Sequence, residues 1–168
     1  SGGFIPGKTR ICYSRRVYDE REMVNLVDSS LDYWLTSGPY GEEFETKMRQ
    51  FFNSYDFVLV NSGSSANLLL ISTLCSEELK SLSDAELPPL LPGDEVITPA
   101  VTFPTTLAPI VQNRLVPVFI DCEIGTYNIN PALIEGAIGK RTKAIFVPHT
   151  VGNPCDMDII CEIAQKHH

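Results

Sequence analysis

Apolar and polar positions along this chain switch between two rhythms. From Asp19 onward, Met23, Val24, Val27, Leu31 and Trp34-Leu35 recur at helical spacing behind a capping aspartate, which predicts a helix over 19–35. Ser37-Gly38-Pro39 breaks it, and Phe44, Met48, Phe51 and Phe52 then mark one face of a short amphipathic helix. Phe57-Val58-Leu59-Val60 reads as a buried strand, and Leu68-Leu69-Leu70-Ile71 as the buried face of a helix running to about Cys75. A polar, proline-rich loop occupies 76–93. Beyond it the rhythm is regular: strand 95–98, helix 103–112, strand 116–120, helix 131–138 with proline in its first turn, strand 144–147, helix 156–166. Near-continuous apolar strands alternating with helices predict an α/β fold with a mostly parallel sheet covered on both faces.

In such a sheet the loops at the carboxyl ends of the strands line the ligand crevice. Here those loops are 61–65, 98–106, 121–127 and 148–154. The most informative is Asn61-Ser62-Gly63-Ser64-Ser65-Ala66-Asn67, which joins the strand at 57–60 to the next helix. A small-residue turn of this kind offers backbone N–H groups and hydroxyls at the positive end of a helix dipole, a place to hold a phosphate. A plain strand-to-helix turn with Ser64 or Ser65 as N-cap would look the same at this level. His149 follows a strand and so falls at the crevice lip, where it serves either as a structural hydrogen-bonder or in catalysis.

Composition narrows the partners. A net charge of −8 and the absence of any basic run longer than Arg15-Arg16 argue against a nucleic-acid surface and against an anionic membrane. No apolar run is long enough to span a bilayer and no signal peptide opens the chain. Ser1-Gly2-Gly3 is set aside as a ragged end. Cys12, Cys75, Cys122, Cys155 and Cys161 are an odd, scattered set, which fits reduced thiols in a cytoplasmic protein better than a disulfide framework or a metal site. An N-terminal arm (1–18) is expected before a large domain that occupies 19–168 and is incomplete, because the alternation stops at Lys166-His167-His168 without a closing element.

Taken in order, several segments resemble the DegT-like sugar-nucleotide aminotransferase family. They are Trp34-Leu35-Thr36-Ser37-Gly38-Pro39 with Phe44-Glu45, the 61–67 turn, Pro92-Gly93-Asp94-Glu95-Val96-Ile97-Thr98-Pro99, Pro117-Val118-Phe119-Ile120-Asp121, Thr142-Lys143-Ala144-Ile145 and His149-Thr150-Val151-Gly152-Asn153-Pro154. The family implies a three-layer fold of the aspartate-aminotransferase type (fold type I) and pyridoxal phosphate (PLP) as cofactor. Gly7-Lys8-Thr9-Arg10-Ile11, Arg16-Val17-Tyr18-Asp19-Glu20, Phe103-Pro104-Thr105-Thr106 and again His149-Thr150-Val151-Gly152-Asn153-Pro154 are most similar to the branch of 4-keto-6-deoxyhexose 3-dehydrases acting on CDP-sugars, such as CDP-4-keto-6-deoxyglucose. That branch implies pyridoxamine phosphate (PMP), removal of the hydroxyl at sugar carbon 3 for surface polysaccharides such as lipopolysaccharide O-antigens, and a separate reductase. It also implies a [2Fe-2S] cluster in the full-length protein.

Carried over by residue, the resemblance makes Gly63, Ser64 and Ser65 the phosphate-binding turn. It makes Phe103 the aromatic that stacks on the cofactor ring, and brings His149 near the cofactor, with Gly38 and Pro39 approaching the site. Thr102, Thr105 and Thr106 either bond cofactor or sugar or simply cap a helix. The carboxylate that pairs with the pyridinium nitrogen, the Lys of aminotransferases or the His that replaces it in dehydrases, and the cluster cysteines all fall after His168 in the family order. Three readings follow: part of a 3-dehydrase, inactive alone; part of a sugar aminotransferase; or a non-catalytic α/β fragment that binds phosphate ligands. The resemblance further implies a homodimer acting on nucleotide-sugars.

Overall fold

The computed structural model describes residues 3–11, 16–82 and 88–167. Cys12, Arg15 and His168, which enter the sequence reading, lie outside the described residues. The chain divides into two compact units, residues 1–59 and 60–168.

In the first unit, α1 (Glu20–Leu31) begins as expected. Asp19 accepts from the Arg21 amide and forms a capping box with Glu22. The helix ends at Leu31, short of Leu35, because Tyr33 takes a left-handed conformation (φ 52°) that terminates it. α2 (Pro39–Phe52) starts on Gly38 with proline at its first position, and Asn53 in the left-handed region (φ 49°) ends it. Phe44 and Phe52 both pack on Phe57, the first edge-on at 5.9 Å and the second stacked at 6.2 Å. The strand expected at 57–60 does not form. The segment runs without a ladder partner among the described residues, Val58 is 62% exposed, and the Leu59 amide donates to Glu45 Oε1 at 2.8 Å. An apolar run becomes a strand only when a neighbouring backbone satisfies its amides.

The second unit begins with α3 (Gly63–Leu74) and the single turn α4 (Leu79–Leu82). Then β1 (Glu95–Pro99), α5 (Pro104–Gln112) and β2 (Val116–Ile120) follow the predicted rhythm closely. The helix expected over 131–138 is instead a 3-10 turn (Pro131–Leu133), capped by Asn130, leading into a one-turn α6 (Ile134–Ala137). β3 (Thr142–Ile145) lies two residues earlier than expected, and α7 (Met157–His167) completes the unit.

The sheet is wholly parallel, in the order β2-β1-β3. Because side chains alternate along a strand, neighbouring residues of β1 serve opposite faces. Val96 packs with Ile71, Ile110 and Leu115 beneath α3 and α5; Ile97 packs with Ile120, Ile134, Ile160 and Ile163 beneath α6 and α7. Helices therefore cover both faces, giving the three layers expected.

Candidate functional site

The residues of the 61–67 turn do what their types suggest. Ser62, not Ser64 or Ser65, is the N-cap of α3: its Oγ accepts from the Ser65 amide at 3.2 Å and lies 3.2 Å from Ser65 Oγ. That frees the hydroxyl of Ser64, which donates to Thr105 Oγ1 at 3.2 Å. Ser64 and Thr105 each stand second in their helices, so the bond ties the start of α3 to the start of α5, directly past the carboxyl end of β1. Two helix dipoles thus converge with their positive ends together. The amides of Gly63, Ser64 and Thr105 have no hydrogen-bond partner among the described residues. A Cβ built at Gly63 would meet nothing within 4 Å, so the turn is open on that side.

Ser64, Ser65 and Thr105 line a cavity of about 210 Å³ that continues between the two helices past Leu68 and Ala108. A dianionic phosphate ester suits this donor set: free amides and hydroxyls, no carboxylate among the lining groups, and converging dipoles.

α5 carries Pro109 in its interior, fully buried. A proline there has no N–H for the carbonyl four residues earlier, that of Thr105. Asn67 of α3 supplies the missing donor, its Nδ2 reaching Thr105 O at 3.1 Å. Asn113 adds a second tie, donating to Pro109 O at 2.8 Å and to Ser72 Oγ at 3.2 Å. Thr106, expected as cap or ligand, is buried and takes a 3.0 Å bond from Thr102 Oγ1.

Phe103 is the N-cap of α5, 68% exposed and without a ring partner among the described residues. One face is thus available for stacking. His149 is exposed and makes no hydrogen bond to Gly63, Ser64, Ser65 or Phe103. Its Nδ1 accepts from the Cys155 amide at 3.1 Å. Cys155 is buried, its thiol pushed up first by burial, with nearby Cys122 adding to the effect and an Ile129 backbone bond opposing it. A thiol so placed stays protonated and is no nucleophile. No group of His, Cys, Asp or Glu among the described residues is arranged to hold a metal ion.

Sequence reasoning passed over Asn128, which is 5% exposed and grips the loop that carries His149. Nothing in its neighbours marks its side chain, since the atoms that side chain bonds lie 22 to 26 residues away.

The dTDP-4-dehydro-2,6-dideoxy-D-glucose 3-dehydratase of Saccharopolyspora spinosa is 48% identical over 164 residues, 98% of this chain and 34% of that protein. The lipopolysaccharide biosynthesis protein RfbH of Salmonella typhimurium is 41% identical over 98% of this chain and 36% of its own length. Among solved structures, the E. coli GDP-4-keto-6-deoxy-D-mannose-3-dehydratase with bound hydrated PLP superposes with a TM-score of 0.76 at 35% identity, covering 91% of this chain and 37% of that one. The chain thus spans about a third of the length of the relatives it matches, and its α/β unit is part of the PLP-dependent aminotransferase fold. Matched by the family's pattern over residues 17–168, the chain belongs to the DegT/DnrJ/EryC1/StrS aminotransferase family.

Proposed function

We propose that this chain supplies the phosphate-holding side of the cofactor site in a PMP-dependent nucleotide-4-keto-6-deoxyhexose 3-dehydrase of deoxysugar biosynthesis. The observation that carries the reading is the convergence of α3 and α5, whose starts bring the unpartnered amides of Gly63, Ser64 and Thr105 together beside a cavity lined by Ser64, Ser65 and Thr105. When bound, the cofactor supplies the electron-withdrawing ring that such eliminations need. The residues here bind and orient it. Gly63, Ser64 and Ser65 hold the ester oxygens, and Phe103 covers one face of the ring and excludes water. His149 offers Nε2 to a ligand oxygen. The group that moves the proton belongs to the longer protein, so this chain alone is inactive.

The nucleotide-sugar substrate, the homodimer, the partner reductase and the cytoplasmic location are proposed for the whole protein. The four described cysteines are unpaired, as a reducing compartment requires. A [2Fe-2S] cluster finds no ligand set among the described residues and would have to be bound elsewhere in the longer protein. A PLP-dependent sugar aminotransferase is the second reading, favoured by the family's own description. A histidine facing the cofactor in the longer protein selects the dehydrase, a lysine the aminotransferase.

The test is an absorbance titration with PLP and PMP of this chain combined with the C-terminal remainder of the protein. A saturable spectral change that is weakened at least tenfold by Ser64→Ala with Ser65→Ala is expected. No spectral change would leave only a non-catalytic phosphate-binding role.

A further inference from the structure

The loop between β3 and α7 contains a conformation that its residue type disfavours. Val151 lies in the left-handed region (φ 55°, ψ 26°), and Gly152 follows at φ 79°. A β-branched residue avoids that region, and Val151 is 84% exposed, so no packing of its side chain compensates. Such a backbone persists only where the surroundings fix it.

Within the loop the Gly152 amide donates to His149 O at 3.0 Å and the Asn153 amide to Thr150 O at 2.9 Å, and Asn128 clamps that turn from outside. Its carboxamide nitrogen donates to Asn153 O and Pro154 O, both at 3.0 Å, and its Oδ1 accepts from the Thr150 amide at 3.1 Å. The side chain thus uses both donors and its acceptor across the neck of the loop. Thr150 Oγ1 donates to Tyr127 O at 3.1 Å, and Asn153 Nδ2 reaches Thr126 O at 3.4 Å. Tyr127 is itself left-handed (φ 59°), so both strand-end loops are shaped around this contact. With the neck closed, the Cys155 amide meets His149 Nδ1 at 3.1 Å, and Cys155 Sγ meets Pro148 O at 3.2 Å. An Nδ1 that accepts leaves the proton of the neutral ring on Nε2.

We infer that Asn128 is a positioning residue: by pinning residues 150–154 it holds His149 as the Nε2–H tautomer, with a donor presented at the crevice lip for a ligand oxygen. The clamp stands on geometry alone; its use toward a ligand rests on the proposed function. Asn128 touches no reacting atom, and of the two residues His149 alone meets the ligand.

The test is an NMR experiment on the uniformly 15N-labelled chain. A through-hydrogen-bond 15N–15N coupling between the Cys155 amide and His149 Nδ1 is expected in the wild type, assigned by its loss in His149→Gln. It should vanish in Asn128→Ala and in Asn128→Asp. The aspartate keeps the volume and the Thr150 bond but loses both donors. Cys155 amide exchange should quicken roughly tenfold in both variants. A merely structural Asn128 would lower stability while leaving the coupling intact in the folded protein, and that result overturns the inference. Absence of the coupling in the wild type overturns it too, whatever the variants do. Failure of the cofactor titration with the coupling present would sink the proposed function and leave the clamp standing.

Discussion

The exchange of partners between Asn67, Thr105 and Pro109 makes a quantitative prediction. Pro109 leaves Thr105 O without its helical donor, and Asn67 Nδ2 replaces it at 3.1 Å from the neighbouring helix. Asn67→Ala removes a bond worth about 1 kcal/mol net and strands a half-buried carbonyl, for a loss of about 1.5 kcal/mol. Alanine regains about 0.5 kcal/mol in helix propensity, so the measured cost is about 1 kcal/mol. In a Pro109→Ala background the helix supplies its own N–H to Thr105 O. Asn67 then has nothing to repair, and Asn67→Ala becomes stabilising by about 0.5 kcal/mol. The double-mutant cycle should therefore show a coupling of about 1.5 kcal/mol, roughly a tenfold change in the folding equilibrium. Urea unfolding followed by far-UV circular dichroism measures it, since a change of this size moves the midpoint by about 1 M at the slope usual for a domain this small. The cost that Pro109→Ala itself carries through lost packing cancels in the cycle. Additive effects, with a coupling below about 0.3 kcal/mol, would refute the reasoning.

Two further outcomes are expected. Thr98 is fully buried on β1 and its hydroxyl has no partner among the described residues, so Thr98→Val should stabilise the chain by about 1 kcal/mol in the same unfolding assay; destabilisation would refute the orphaned hydroxyl. Hydrogen bonds from Lys166, then from His167 at 3.1 Å, hold the Glu135 carboxyl below its ordinary range. A lowered folded-state pKa stabilises above the unfolded-state value and is lost as pH falls through the folded one, so wild type should lose more stability across that acid window than Glu135→Gln; identical pH profiles would refute the link.

Much of this was legible because local signals agreed. β2 was readable since Val116–Ile120 lies in a continuous apolar run between Arg114 and the polar loop that starts at Asp121. The turn into α3 was readable because small residues separate an apolar run from a helical one. What escaped was set by distant partners. The run at 57–60 has the composition of a strand but no neighbour to pair with among the described residues. Ser62 was overlooked as the cap because three serines compete within four positions, and only geometry selects one. His149 stood open between two roles, and its bond to the Cys155 amide gives it a structural partner at Nδ1 without assigning Nε2.

β1 is the one described strand with a neighbour on each side, and its consecutive residues Val96 and Ile97 are both wholly removed from solvent, each in a different core. A wall one residue thick thus separates two interiors that cannot share atoms. Volume deleted above it is not refilled from below, so truncations at these adjacent positions should behave as independent injuries, each repairable only by enlarging a side chain in its own compartment. The layer beneath α3 and α5 could then be redesigned without disturbing the packing that anchors α7.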